Sequence, residues 1–496
     1  MTKTHYPATL LCDFYKVSHR EQYPAGTEVI YSTWTPRSNK YFPQADGVVV
    51  FGIQAFIKKY LIDYFDEHFF NRPVKKVVEE YKRVIKYTLG IEDPDASHIE
   101  ALWNLGFLPI QIKALREGTV APIKVPILTI ENTEPDFFWL TNYLETLMSA
   151  ELWLPMTAAT ISYQYRKLLN QYALETTGST AGVEFQAHDF SMRGMEGVYG
   201  SSDLSGPGHL LSFVGTDTIP AILFHEKYYN ANIETELVGT SIPATEHSVM
   251  CSYGQTDEFE LFKHLMLDVY PSGFFSVVSD TWDFWKVIGE YLPALKEEVM
   301  NRDGRVVIRP DSGDPVKIVV GDPDGATELE RKGLIEALWD IFGGFTTEQG
   351  YKVLDPHIGA IYGDSITLLR AEEIVEKLKR KGFASTNIVF GVGSYTYQMN
   401  SRDSLGFAMK ATYAEVNGEE RMLFKDPKTD DGTKRSQRGR VAVTKMNGEI
   451  IVTDGLNLKT YNANFANRDL LETVFLDGEL VSEHSLSEVR ERLANQ

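Results

Sequence analysis

Phe274-Phe275-Ser276-Val277-Val278-Ser279-Asp280-Thr281 carries a short apolar run straight into a polar, acidic loop. Arg305-Val306-Val307-Ile308-Arg309-Pro310-Asp311-Ser312-Gly313-Asp314 does the same about 30 residues later. Between them, 283–300 has apolar residues at helical spacing, with a kink expected at Pro293. Strand, loop, helix and strand in that order make a parallel βα unit, because parallel neighbours need a crossover connection. Reading outward, 184–187, 210–214, 237–242, 358–361 and 387–390 have the same strand-like texture. Helical patterns fall at 326–342 and at 367–381, where Leu368, Ala371, Ile374, Val375 and Leu378 share one face. Residues 182–396 therefore read as a parallel, barrel-like α/β domain.

The flanks differ. Residues 1–181 mix helices, at 51–70, 74–89, 137–153 and 161–174, with strands at 109–115 and 126–131. From 401 onward short strands return, and Asn417-Gly418, Asn447-Gly448 and Asp477-Gly478 read as hairpin turns between apolar segments. Antiparallel structure on both sides of a parallel core makes 1–181 plus 397–496 a single discontinuous α+β domain.

The bulk numbers narrow the chemistry. Of 496 residues, 49 are Lys or Arg and 69 are Asp or Glu, a net charge of −20. Such a surface disfavours nucleic acid and anionic membrane as partners, so a local cluster of cations is informative. Two cysteines, Cys12 and Cys251, exclude a disulfide framework and a cysteine-type zinc site, and point to a reducing compartment. Residues 1–11 lack the basic and apolar regions of a signal peptide, and no apolar run is long enough to span a membrane. A cytoplasmic location is expected.

Seven strand-like segments end in polar clusters: 188–194, 215–218, 245–248, 279–281, 309–314, 363–365 and 391–394. In a parallel barrel they gather at the C-terminal mouth, where active sites lie. One such loop is ordinary turn or capping chemistry; seven in register are not. Asp280, Asp311 and Asp364 suit ribose hydroxyls or Mg2+. Gly391-Val392-Gly393-Ser394 offers backbone N–H groups to a phosphate, or is only a tight turn. Arg193 and Arg309 suit a phosphate or carbonyl oxygen, or a structural ion pair. Phe190 is a stacking platform or a core aromatic. His247 is an acid or base, a nucleophile towards phosphate, or a hydrogen-bonded histidine. Lys425, Lys428, Lys434, Arg435, Arg438 and Arg440 could bind polyphosphate or decorate a solvated loop.

These clusters carry a resemblance. Asp13-Phe14-Tyr15-Lys16-Val17-Ser18-His19, His188 to Gly194, Gly215-Thr216-Asp217-Thr218, Glu246-His247-Ser248, Ser276 to Asp280, Ile308 to Gly313, Gly363-Asp364 and Phe424-Lys425-Asp426-Pro427 appear in order. Together they make the chain resemble the nicotinamide phosphoribosyltransferase family of type II phosphoribosyltransferases, from near Leu11 to near Val481. The resemblance implies an incomplete α/β barrel, and a homodimer with active sites shared across the interface. It also implies nicotinamide and 5-phosphoribosyl-1-pyrophosphate as substrates, Mg2+ as cofactor and ATP as coupling co-substrate. By it, Phe190 and a partner-subunit Tyr15 sandwich the nicotinamide, and Arg193 binds the carboxamide oxygen. Arg309 and Asp311 line the base and ribose region, Gly363 and Asp364 meet the ribose, and Gly393 and Ser394 cradle the 5′-phosphate. Arg37, Arg402, Lys410 and Lys425 receive phosphates from across the interface. His247 is the histidine that ATP phosphorylates, oriented by Asp280. Two positions depart from the pattern: the glycine run at Gly393-Ser394-Tyr395 is short, and Ala408 replaces a serine of the phosphate region.

Asp217 separates the nearest alternative, a nicotinate phosphoribosyltransferase, because a carboxylate accepts a hydrogen bond from a carboxamide and repels a carboxylate. A non-catalytic nucleotide-binding relative is expected to lose acidic or stacking residues, yet Phe190, Asp217, Asp311 and Asp364 are all present. A metal-dependent hydrolase or aldolase would show a histidine-rich metal set or a Schiff-base lysine at a strand end, and neither occurs.

Overall fold

In the computed structural model, which describes residues 6–363, 366–424 and 437–496, Ser272–Val278 and Asp303–Arg309 are strands. They pair in parallel from Ser272 against Asp303 to Val278 against Arg309. The sheet continues in the order Gly215–Thr216, Ala187–Asp189, Val389–Val392, Ile358–Tyr362, Asp303–Arg309, Ser272–Val278, all parallel. Isolated parallel bridges, Gly215 to Thr240 and Ala244 to Ser276, carry the curl across the remaining side. This is the incomplete barrel expected. Its strands alternate with a period of two. Arg305, Val307 and Arg309 line an interior cavity, as do Phe274 and Ser276. Val306, Ile308, Phe275 and Val277 are fully buried on the other face.

Helices fill the crossovers where the apolar spacing placed them. Leu368–Arg380 buries Ala371, Ile374, Val375 and Leu378, and Thr367 Oγ1 accepts from Arg370 N at its start. Glu328–Phe342 opens with a reciprocal Thr327–Glu330 capping box and breaks at Gly333, whose φ is 77°. The 283–300 segment is broken around Pro293 into short turns, with Asp283 capping the first.

Two expected strands are absent. Leu210, Leu211 and Phe213 are buried in a turn after the short helix Gly206–His209, and the strand proper is only Gly215–Thr216. In 237–242, Thr240 alone makes a bridge. A short apolar run signals burial, and burial does not require a strand. The 184–187 reading shifts to a 3-10 turn, Val183–Phe185, followed by Ala187–Asp189.

The second body is built on an antiparallel sheet ordered Glu419–Met422, Phe407–Val416, Thr27–Pro36, Leu128–Asn132, Ile110–Ala114, Glu472–Leu476, Glu479–Leu480. Its long central strand, Thr27–Pro36, was not anticipated. The three Asn-Gly and Asp-Gly turns are two-residue hairpins with both residues at positive φ, for example Asn417 at 53° and Gly418 at 72°. Amphipathic helices, among them Val74–Leu89 with Val77, Tyr81 and Ile85 buried, pack into one core that includes Trp34, Ile112 and Phe407, with Trp34 and Phe407 stacked at 5.3 Å. Arg440 is buried here: it donates to both carboxylate oxygens of Glu131, at 3.0 and 2.6 Å, and lies over the rings of Tyr31 and Tyr413. Removing one partner of such a pair costs about 3–5 kcal/mol, so Arg440 is a structural anchor and leaves the basic cluster considered for polyphosphate.

The compact units are 1–160, 225–231 and 400–496 on one side, and 161–224 and 232–399 on the other. The division after 160 falls inside a single helix, Glu145–Thr177, where the sequence pattern had separated 137–153 from 161–174. The helix accommodates Pro155, and Thr157 Oγ1 donates to Trp153 O at 2.6 Å beside it. Among the described residues no helix is long and apolar enough to cross a membrane.

Candidate active site

The barrel interior holds a cavity of about 540 Å3, lined by Phe190, Asp217 and Arg309 at the polar strand ends and by Phe185, Phe274 and Arg305 nearer the strand starts. A second hollow of about 580 Å3 touches Phe190, Met192, Arg193, Val198 and Asp217. A largely apolar cavity with a few convergent polar groups is the usual form of a small-molecule site.

At one end, Asp189 is fully buried and organises the loops on either side of Phe190. Its Oδ1 accepts from Ser191 N at 2.9 Å, and its Oδ2 from Thr216 Oγ1 at 3.2 Å and Thr218 Oγ1 at 2.8 Å. Phe190 N donates to Val392 O at 2.9 Å, which ties it to the Val389–Val392 strand, and its ring lies 4.5 Å from that of His188. His188 Nε2 and Ser241 Oγ both lie 2.8 Å from Asp217 Oδ1. Burial works against the Asp217 charge, but these bonds and the field of Arg309 outweigh it, so its pKa lies below the ordinary carboxylate value. Behind the strand, buried His209 faces Tyr397 Oη at 2.7 Å through Nδ1 and Gly215 O at 3.1 Å through Nε2. A carbonyl only accepts, so Nε2 carries the hydrogen. Burial lowers the His209 pKa. Arg193 is exposed on the 3-10 turn Met192–Gly194.

Further round the mouth, Asp280 Oδ2 accepts from Asp311 N at 2.8 Å, Ser312 N at 2.7 Å and Ser312 Oγ at 2.5 Å. Its other oxygen is buried with no hydrogen-bond partner, 3.8 Å from His247 Nε2. Asp311 Oδ2 is 3.9 Å from the same nitrogen, and His247 Nδ1 lies 3.2 Å from Thr281 Oγ1. Arg309 Nη2 donates to Thr245 O at 2.6 Å, and its Nε is 3.7 Å from Asp311 Oδ1. Gly363 and Gly391 are places of close approach: a Cβ on Gly363 would meet Asp311 Oδ1 at 1.9 Å, and one on Gly391 would meet the Gly363 backbone at 2.8 Å. Gly393 precedes the short helix Ser394–Gln398, and the Ser394 side chain occupies the space where Gly194 has no Cβ. The barrel thus brings together Phe190, Arg193, Asp217, His247, Asp280, Arg309, Asp311, Gly363, Gly393 and Ser394.

The remaining candidates belong to the other unit. Tyr15 is 56% exposed on the 3-10 helix Phe14–Ser18. Arg37, Arg402 and Lys410 form a cationic group with Lys16, which is buried against Glu145 at 2.5 Å. Burial lowers the Lys410 pKa; Glu145 opposes this, while Arg37, Arg402 and Lys16 add to it. Burial and the charge of Arg402 likewise lower that of Arg37. Asp364 and Lys425, with Lys428, Lys434 and Arg435, lie outside the described residues.

The comparisons agree on ancestry. The nicotinate phosphoribosyltransferase (NAPRTase) family model matches residues 185–479, and the nicotinamide phosphoribosyltransferase N-terminal domain matches 8–87. A nicotinamide phosphoribosyltransferase of Acinetobacter baylyi is 50% identical over 98% of this chain and 96% of its own. The chain belongs to the nicotinamide phosphoribosyltransferase family. A relative of the same name from Xanthomonas campestris pv. campestris is 33% identical over 98% of each chain. The crystal structure of a nicotinate-nucleotide pyrophosphorylase from Pyrococcus furiosus superposes with a TM-score of 0.56 at 14% identity. It covers 100% of this chain and 97% of that one, a likeness of fold.

Among the described residues no three His, Cys, Asp or Glu side chains gather as a metal site. Asp280 keeps one buried oxygen that makes no hydrogen bond, and Asp311 lies beside it. That arrangement suits a Mg2+ ion that keeps waters and arrives with a polyphosphate. Several contacts were not read from sequence: the grip of His188 and Ser241 on Asp217, the Thr281 bond to His247, and the Thr245 carbonyl under Arg309. His188 sat in a recognised strand-end cluster, but its partner depends on strand register.

Proposed function

We propose that the chain transfers the 5-phosphoribosyl group of phosphoribosyl pyrophosphate to nicotinamide, giving nicotinamide mononucleotide and pyrophosphate for NAD salvage. The observation that carries this reading is the Asp217 carboxylate, pinned at Oδ1 beside Phe190 and held ionised. An ionised acceptor there takes a hydrogen from a carboxamide NH2 and repels nicotinate. The pyridine nitrogen is already a neutral nucleophile and needs no base. It attacks the anomeric carbon as the bond to pyrophosphate breaks, and the electron pair leaves with pyrophosphate. What the enzyme must supply is alignment and cations for the leaving group.

In this reading Phe190 stacks on one face of the ring and Tyr15 of a second copy on the other. The exposure of Tyr15 supports that arrangement and a homodimer with shared sites. Arg193 takes the carboxamide oxygen, and Arg309 and Asp311 border the base and ribose. Gly363 and Asp364 meet the ribose, and Gly393 and Ser394 hold the 5′-phosphate. Arg37, Arg402, Lys410 and Lys425 oppose the negative field of the chain and receive phosphates. Mg2+, when bound, neutralises charge on the departing pyrophosphate, and Asp280 and Asp311 would face it. His247 accepts a phosphoryl group from ATP in this reading and so couples hydrolysis to synthesis; its half-exposed side chain, with Nδ1 facing Thr281, supports that role. The low cysteine count fits a cytoplasmic setting. Turnover of nicotinamide and of nicotinate with phosphoribosyl pyrophosphate, each with and without ATP, tests the reading. Product from nicotinamide and little from nicotinate is expected; equal efficiency on the two bases overturns it.

A further inference from the structure

Asp217 takes its orientation from a residue on the neighbouring strand. Ala187–Asp189 runs parallel to Gly215–Thr216 with His188 opposite Gly215, and that register sets Nε2 2.8 Å from Asp217 Oδ1. A carboxylate only accepts, so His188 Nε2 carries the hydrogen of this bond. Ser241 Oγ donates to the same oxygen, and Oδ2 has no hydrogen bond among the described residues. The imidazole is itself fixed. It packs on Phe190 with centroids 4.5 Å apart, its side chain is 12% exposed, and a Cβ on Gly215 would come within 2.8 Å of its Nδ1. Ser241 adds a single hydroxyl from a segment that isolated bridges at Thr240 and Ala244 join to the sheet, whereas His188 brings a packed ring from a neighbouring strand.

We propose that His188 is a specificity-determining residue, whose hydrogen bond to Asp217 Oδ1 fixes the carboxylate with Oδ2 presented to the base, so that a carboxamide is accepted and a carboxylate refused. The inference rests on the reading above that Asp217 meets the amide of the base. It makes His188 a positioning residue, acting through Asp217.

Two variants separate the hydrogen bond from packing. His188→Phe keeps a ring against Phe190 and Gly215 but cannot donate. His188→Gln places an amide N–H near the position of Nε2. The quantity to measure is kcat/KM for nicotinamide divided by kcat/KM for nicotinate, on one preparation of each variant, so that the fraction of folded protein cancels. His188→Phe should lower this ratio by ~10-fold or more, the worth of a hydrogen bond to a charged group, with the loss larger in the KM for nicotinamide than in kcat. His188→Gln should stay within ~3-fold of wild type, as a retained donor requires. A wild-type ratio in His188→Phe, or equal losses in both variants, overturns the inference while leaving the role of Asp217 standing. A wild-type enzyme that does not discriminate overturns the role of Asp217 and the inference together.

Discussion

Gly363→Ala is a small change with a large expected consequence. Gly363 follows the strand Ile358–Tyr362, and a Cβ there would lie 1.9 Å from Asp311 Oδ1, 3.0 Å from Asp311 Cγ and 3.3 Å from Arg309 Cδ. Carbon and oxygen in contact stay ~3 Å or more apart, so the carboxylate must swing by roughly 1 Å or more. The backbone at Gly363 is not in the left-handed region, so the fold itself should accept alanine. The swing, however, alters the spacing of Asp311 from Arg309 Nε, now 3.7 Å, and changes its place beside His247. A misplacement of that size costs ~10²-fold in rate, or about 2.7 kcal/mol of transition-state stabilisation. Initial rates of pyrophosphate release with nicotinamide and phosphoribosyl pyrophosphate should show kcat/KM reduced ~100-fold, with a Tm within ~3 °C of wild type. In an Asp311→Ala background the same substitution should cost less than ~3-fold, because the group it displaces is gone. Wild-type kcat/KM in the single variant, or full additivity in the double, would refute the reasoning.

His247→Ala should abolish ATP hydrolysis and ATP stimulation while slow, uncoupled synthesis persists; unchanged stimulation removes His247 from the coupling step. His98, buried in the other unit, gives a pH dependence. Burial, with Arg20 at 3.3 Å from Nδ1, holds its imidazole at about 4 against an ordinary 6.5. The unfolded chain therefore takes a proton that the folded one refuses. The stability this lends is complete above pH 6.5 and is lost as pH falls towards 4, at most about 3 kcal/mol. Thermal melts across that window should fall less steeply for His98→Gln than for wild type; parallel slopes would assign the acid sensitivity elsewhere.

Much of this architecture is written locally in the chain. Asn417-Gly418 and its two counterparts were readable as hairpins because a two-residue turn demands left-handed backbone, and few residues supply it. Val277 and Ile308 were readable as strand because short β-branched runs end in turn residues. Thr27–Pro36 was not read, although Thr27, Val29, Ile30, Thr33 and Thr35 carried a β-branched signal. Its ladder partners, Leu128–Asn132 and Phe407–Val416, are remote in sequence, and nothing local shows that it is the centre of a sheet. The 210–214 run failed in the opposite direction, since Leu210 and Phe213 are buried without being strand. Within the site, the acidic strand ends could be listed from sequence, whereas their partners could not. The bond from His188 to Asp217 follows from strand register. The burial of Arg440 against Glu131 withdraws one cation from a cluster that composition alone had grouped.

The most direct test of the account is a competition experiment in one vessel, with nicotinamide and nicotinate at equal concentration and limiting phosphoribosyl pyrophosphate. Run with wild type and with Asp217→Ser, it reads the ratio of the two mononucleotides formed. The account predicts nicotinamide mononucleotide in large excess from the wild type and a ratio at least ~10-fold smaller from Asp217→Ser, as loss of a charged hydrogen-bond acceptor implies. Comparable amounts of both products from the wild type, or a ratio unchanged by Asp217→Ser, would contradict it.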